Sequence, residues 1–272
     1  MRTVTRALAL LLALSAVLLV SSRGRAAEPP PAPGQRQVTV AAAADLSFAL
    51  AEIISSFHRR HPDIAVKVTY GSSGTFFSQL SNKAPFDLFL SADLSYPEQL
   101  VQQGLASKET EFEYAVGRIV VWVRNDSQLD LAKLGIRALV EPSVKKVAIA
   151  NPQHAPYGRA AAAAMKQLGV YDQAKDRLVL GENIAETAQF VDSGAADVGV
   201  IALALALAPA MKDKGRYWEV PLDAYPRIEQ GGVILSWAKD IDAARQLRDF
   251  MVSAEGRAIL ERYGFFLPEP GK

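Results

Sequence analysis

Four stretches of this sequence gather small residues, hydroxyls and amides without a lysine or arginine among them. They are Ala44-Asp45-Leu46, Gly71-Ser72-Ser73-Gly74-Thr75, the run from Asn151 to Gly158, and Gly181-Glu182-Asn183-Ile184. Each stands where an apolar, strand-like run gives way to a helical pattern. A helix start carries unpaired backbone N–H groups and a partial positive charge, and such ends hold anions without help from cationic side chains. Gly71, Gly74 and Gly158 let the backbone approach closely, and Ser72 and Ser73 add hydroxyl donors. The chemistry on offer is anion binding. Any one junction also reads as an ordinary cap or turn; together they point to a ligand held between lobes.

Nucleophilic chemistry is the rival reading. Ser72 or Ser73 sits at a strand-to-helix turn, with histidine and acids downstream, as in a secreted serine hydrolase. Gly71-Ser72-Ser73-Gly74 lacks the spacing of the nucleophile elbow, however, and no histidine is marked as a base. Of the three histidines, His58 and His61 flank the basic end of a helix and suit its C-terminal dipole. No third metal ligand accompanies them. His154 sits in its turn and shapes it. No catalytic residue and no direct metal ligand is assigned.

The elements that must position these turns alternate. Val38 to Ala44 reads as a buried strand, and Leu46, Leu50, Ile53, Ile54 and Phe57 fall at helical spacing, ending before Pro62. A strand follows at Ile64 to Tyr70, then a helix carrying Phe76, Phe77 and Leu80, a strand at Asp87 to Ala92 and a short helix at Pro97 to Gly104. A second set comprises strands at Ile119–Val123, Val147–Ala150, Leu178–Leu180 and Val198–Ile201, with helices at Tyr157–Leu168 and Ile184–Asp192. A strand at Val233–Trp237 and helices through Tyr263 close the chain. Strands alternating with helices imply parallel α/β sheets, with function at the strand ends.

The N-terminus sets the compartment. Arg2 and Arg6 precede an apolar run from Ala7 to Val20, and Gly24 and Ala26 provide a small-x-small site, so residues 1–26 read as a signal peptide. The run is shorter than the roughly 20 residues a membrane span needs. With no cysteine in the chain, neither a disulfide nor a lipid-modified cysteine is expected, which leaves a freely diffusing periplasmic protein. Residues 27–37, with their proline cluster, read as a disordered spacer. The mature chain after residue 26, about 246 residues, accommodates two modest domains. Thirty basic residues against 29 acidic ones leave no basic stripe for nucleic acid. The absence of a DNA-binding segment before Val38 argues against the sensing half of a regulator.

At the same junctions the chain resembles the periplasmic molybdate-binding proteins of ABC importers. The resemblance runs from Val38 to Pro268 and is carried by VTVAAAADL (38–46), YGSSGT (70–75), APFDLFLSAD (84–93), ANPQHAPYGRAA (150–161), GENIAETAQFVDSGAADVGVIA (181–202) and ILERYGF (259–265). It implies an α/β, two-lobed periplasmic binding fold of type II, each lobe a mainly parallel sheet flanked by helices, with the ligand in the cleft. Lobe one would be 38–117 plus 226–272, and lobe two 118–225. The ligand implied is a tetrahedral oxyanion, molybdate or tungstate, with no further cofactor. The partner implied is the membrane permease of the importer, served by a monomer. Carried over residue by residue, the resemblance implies a hydroxyl and an N–H from Ser73, N–H groups from Tyr157 and Ile184, and a place at the ligand for Asp45. Ala44, Ser72, Gly74, Asn183 and Ala202 are its further contacts.

Two positions depart from the pattern. Many relatives have Ser or Asn where this chain has Asp45, and some have a ligand-reaching tyrosine where it has Ala202. An ionised carboxylate about 4 Å from each unit of anion charge costs roughly 4 kcal/mol at an effective dielectric of 20. Asp45 is therefore expected to turn its side chain back as the N-cap of the following helix, with its own N–H facing the cleft. The alternative is that Asp45 accepts a proton carried by the ligand and selects a different, protonated oxyanion.

Overall fold

Val40, Ala41 and Ala42 of the first strand are all fully buried, and a strand covered on both faces reads as a continuous apolar run. The computed structural model describes residues 36–268; the expected signal peptide and the spacer up to residue 35 lie outside them. The strands are β1 Arg36–Ala43, β2 Ile64–Gly71, β3 Leu88–Ser91, β4 Phe112–Gly117, β5 Ile119–Arg124, β6 Val147–Ala150, β7 Leu178–Gly181, β8 Val198–Ala202, β9 Gly215–Glu219 and β10 Ile228–Ile234. The helices are α1 Ser47–Arg60, α2 Ser73–Ser81, α3 Ser95–Gln102, α4 Leu131–Leu134, α5 Pro156–Gln167, α6 Tyr171–Ala174, α7 Ile184–Asp192, α8 Leu203–Ala206, α9 Ile241–Val252 and α10 Ala254–Arg262.

These strands form two five-stranded sheets, ordered β2-β1-β3-β10-β4 and β7-β6-β8-β5-β9. In the first, β1 runs parallel to β2, from Arg36↔Ile64 to Ala43↔Gly71, and parallel to β3. In the second, β6 runs parallel to β7 and β8. The helices α1, α2, α5 and α7 are the crossovers that parallel pairing demands. The remaining pairings are antiparallel: β10 with β3 and β4, and β5 with β8 and β9. Each sheet is thus mixed. The chain leaves the first sheet between Gly117 and Ile119 and returns between Glu219 and Ile228, and the returning strand enters against the direction of its neighbours.

Both faces of the first sheet are covered. Val38, Val40 and Ala42 pack with Leu50, Ile53 and Phe57 of α1 and Leu247 of α9, while Ala41 packs with Phe76, Leu80 and Phe89 on the other side. The second sheet buries Trp122, Ile149 and Val200 against Ala161 and Met165 of α5 and Val191 of α7. The last turn of α1 carries His58, Arg59 and Arg60, a sign of charge that suits its dipole, and His61 stacks on Phe57 at 4.6 Å.

Three differences from the sequence reading have physical causes. Arg36 and Gln37, expected in the spacer, belong to β1, and Arg36 is tied to Asp240 by two hydrogen bonds of 2.6 and 2.8 Å. The edge strands β4 and β9 carry mixed polar and apolar residues, and β9 is largely exposed, so neither shows strand periodicity. The strand expected from Val233 begins at Ile228; Gly231 and Gly232 conceal its first half, since glycine is depleted in strands.

Candidate functional site

The C-terminal ends of β1 and β2 and the first turns of α2, α5 and α7 meet around one small cavity. Its wall includes Ala43, Ala44, Asp45, Gly71, Ser72, Ser73, Ala92, Ala155, Pro156, Tyr157, Asn183 and Ile184. Its volume is about 200 Å³, part of it open to solvent. Such a space suits a compact ion and excludes a sugar or peptide. No lysine or arginine stands in this wall.

Donors come from the backbone. Ser73 and Ile184 are the first residues of α2 and α7, and Tyr157 is the second of α5, so their N–H groups have no acceptor within their helices. The Ser73 hydroxyl accepts from the N–H of Ala92 at 2.9 Å, which leaves its proton to donate. Asn183 caps α7, its Oδ1 accepting from the N–H groups of Ala185 and Glu186 at 3.0 Å each. That cap aligns the start of α7 with the cavity.

The expected contacts divide. Asp45, Ser73, Tyr157, Ile184, Ala44, Ser72 and Asn183 are brought together in the wall. Gly74 and Ala202 are not wall residues. The N–H of Gly74 is already given to the carbonyl of His154 at 2.9 Å. Ala202 ends β8, fully buried and paired with Ile119.

Asp45 corrects its expectation as a helix cap. Neither the 3-10 turn Ala44–Leu46 nor α1 has a side-chain cap. The carboxylate faces a buried hydrogen-bonded trio instead: its Oδ2 accepts from the Tyr157 hydroxyl at 2.8 Å and from Gln230 Nε2 at 2.7 Å. Gln230 Nε2 also donates to the Tyr157 hydroxyl at 2.9 Å. Asp45 Oδ1 and Gln230 Oε1 are buried and make no hydrogen bond. Asp45 is 1% exposed, and this burial pushes its pKa up to about 6, against the hydrogen bonds from Gln230 and Tyr157. The backbone amides of Asp45 and Leu46 lie near enough to soften the shift. Burial, with the Asp45 charge beside them, also pushes the hydroxyls of Tyr157 and Tyr114 well above the usual tyrosine range.

Gln230 escaped the sequence reading. Its side chain is aimed by a register shift in β10 between Gln230 and Gly231, the kind of bulge that redirects a side chain beside a site. The Gln-Gly-Gly run inside an apolar stretch was the available signal. Gly117 makes room for the trio, since a Cβ there would lie 2.2 Å from the Tyr157 hydroxyl.

His154, expected to shape its own turn, makes its side-chain contacts with other turns. Its carbonyl accepts from the Ser72 hydroxyl at 2.6 Å as well as from Gly74, its Nδ1 lies 3.1 Å from Ser72 Oγ, and its Nε2 lies 3.5 Å from Glu182. The Ser72 hydroxyl thus lies between the His154 carbonyl and the His154 ring, joining the turn before α2 to the turn before α5.

A family model described as bacterial extracellular solute-binding protein matches residues 38–266. The molybdate-binding protein ModA of Rhodobacter capsulatus is 35% identical over 229 residues, covering 84% of this chain and 88% of its own. ModA of Azotobacter vinelandii is 36% identical over 233 residues, covering 85% and 90%. Among solved structures, the Azotobacter vinelandii periplasmic molybdate-binding protein aligns at a TM-score of 0.77 with 32% identity, covering 85% of this chain and 100% of that one. The sulfate-binding protein SubI of Mycobacterium tuberculosis shares the fold, at a TM-score of 0.71 and 17% identity. The family match spans both sheets and every residue in the cavity wall, and the chain belongs to the bacterial extracellular solute-binding proteins.

Proposed function

We propose that this protein captures a tetrahedral oxyanion, molybdate or tungstate, in the periplasm and delivers it to the permease of an ABC importer. It performs no chemistry on its ligand and acts as a monomer. The observation that carries the reading is the convergence of three helix N-termini, α2, α5 and α7, on one small cavity with no cation in its wall. Helix ends favour an anion through fixed N–H groups, and a tetrahedral ion offers an acceptor toward each of them. The names of the relatives from Rhodobacter and Azotobacter supply the ion.

Residues 38–117 plus 226–272 serve as one lobe and 118–225 as the other, with the two chain crossings as the hinge. The anion enters while the lobes stand apart and is enclosed as they close, so affinity depends on the closed state. A smaller ion such as sulfate leaves some donors unmatched, at about 1–3 kcal/mol each.

Isothermal titration of residues 27–272 with molybdate, tungstate, sulfate and phosphate at pH 7.5 tests this. Submicromolar binding of molybdate and tungstate, with sulfate weaker by at least tenfold, is expected. Absence of heat with both molybdate and tungstate would overturn it.

A further inference from the structure

We propose that Asp45 makes oxyanion capture proton-linked: one proton enters with each doubly charged anion and settles on the Asp45 carboxyl, whose Oδ1 then donates to the ligand. This rests on the reading of the cavity as an oxyanion site. Asp45 stands in the cavity wall, fully buried, and its Oδ2 is already occupied by Tyr157 and Gln230. Oδ1 has no partner. An ionised Oδ1 can only accept, so it presents a lone pair to an anion that likewise only accepts. The same oxygen protonated is a donor, the complement the anion requires.

Beyond these partners and the nearby backbone amides of Asp45 and Leu46, the surroundings bring no cation. Tyr157 on α5, Tyr114 on β4 and Gln230 on β10 face the carboxyl, and none of these bears a positive charge. The start of α7, packed on the same turn, brings Glu182 and Glu186. The packed helix α8 is Leu-Ala-Leu-Ala, and Glu52 of α1 is paired with Arg262. With no cation at the carboxylate, a proton from solvent is the remaining means of neutralising it. The group has one to gain: with a pKa of about 6 it is largely ionised at pH 7.5 before the ligand arrives.

Titration of the protein with molybdate at pH 7.5, in buffers of different ionisation enthalpy, counts the protons taken up. Uptake near one per anion is expected, with Kd rising about tenfold per pH unit between pH 7 and 8.5. Asp45→Asn should take up no proton, show a flat pH profile and bind more tightly than the native protein at pH 8.5. Asp45→Ser provides the same readout should the asparagine variant fail to fold. Molybdate binding by the native protein with no proton uptake and a flat profile would overturn the linkage while leaving the ligand reading intact. Uptake persisting in both variants would overturn the assignment to Asp45. Failure to bind molybdate at every pH would overturn the ligand reading and this inference with it.

Discussion

A carboxylate in the wall of a proposed anion site needs a compensating arrangement, and at Asp45 part of it is visible in its partners. Tyr157 and Gln230 hold one oxygen while the other makes no hydrogen bond within the protein, so the group is anchored at one oxygen and has the other to offer. The cost is a stability that depends on pH. The folded-state pKa of Asp45 is raised from 3.8 to about 6, so its contribution is fully present below the unfolded value and is lost as pH rises through about 6. At roughly 1.36 kcal/mol per unit, the loss is about 3 kcal/mol at most. Denaturant unfolding of the ligand-free protein and of Asp45→Asn at pH 4.5 and 7.5 measures it: the native protein should lose stability relative to the variant across that interval. Equal losses in both would mean that the buried carboxyl does not titrate there. Ser73 carries the opposite kind of prediction. Its hydroxyl accepts from Ala92 and keeps a proton to donate, and a hydrogen bond to a charged group is worth about 1.5–3 kcal/mol. Ser73→Ala should therefore weaken molybdate binding by about ten- to a hundredfold in a titration. A change under threefold would place the hydroxyl outside the anion's reach.

At the scale of elements, the site is a set of helix starts held in register by their caps. Asn183 is the side chain that fixes α7, accepting from two first-turn amides, and losing such a cap costs about 1 kcal/mol. Asn183→Ala should lower the unfolding free energy by about that amount and also weaken anion binding, because Ile184 follows the cap directly. A loss of stability with unaltered affinity would show that α7 keeps its aim without the cap. These junctions were legible in the sequence because caps and close-approach glycines act locally: Gly71-Ser72-Ser73-Gly74 and Gly181-Glu182-Asn183-Ile184 declare a turn into a helix from their own residue types. Gln230 was not, because its position depends on a bulge in β10 and on pairing with β4, a partner more than a hundred residues away in the chain. The edge strands β4 and β9 were hidden for a related reason. Phe112–Gly117 and Gly215–Glu219 mix polar and apolar residues, and their pairing is set by the distant strands β10 and β5. Asp45 fell between the two cases: its place at the cavity was local, but the direction of its carboxylate was decided by Tyr157 and Gln230, which lie distant in sequence.

For the whole molecule, the proposed capture by closure makes the contacts between the two sheets part of the affinity. They are bridged beside the cavity by Ser72 and Gly74 on the His154 carbonyl and by Thr75 to Glu182 at 3.2 Å. Farther out, Arg159 of α5 donates to the Tyr96 hydroxyl at 3.2 Å, pairs with the carboxylate of Asp93 and lies over the Tyr96 ring. The side chains of Arg159 and Asp93 are 39% and 28% exposed, so solvent screens the pair and its worth is about 0.5–1 kcal/mol. On the proposal that the ligand binds the closed form of a protein that rests open, weakening closure by that amount lowers affinity by the same amount. Arg159→Ala should therefore raise the molybdate Kd by about two- to fivefold at low salt, mainly through faster release. Salt at 1 M shortens the screening length to about 3 Å, and there the native protein and the variant should converge. The Ser73→Ala defect, made inside the cavity where salt screens less, should persist under both conditions. Titrations of the two variants at 50 mM and 1 M NaCl separate these roles. If the Arg159→Ala defect is as large at 1 M as at 50 mM, the side chain acts by packing on Tyr96 rather than by charge, and the outer bridge is a steric latch.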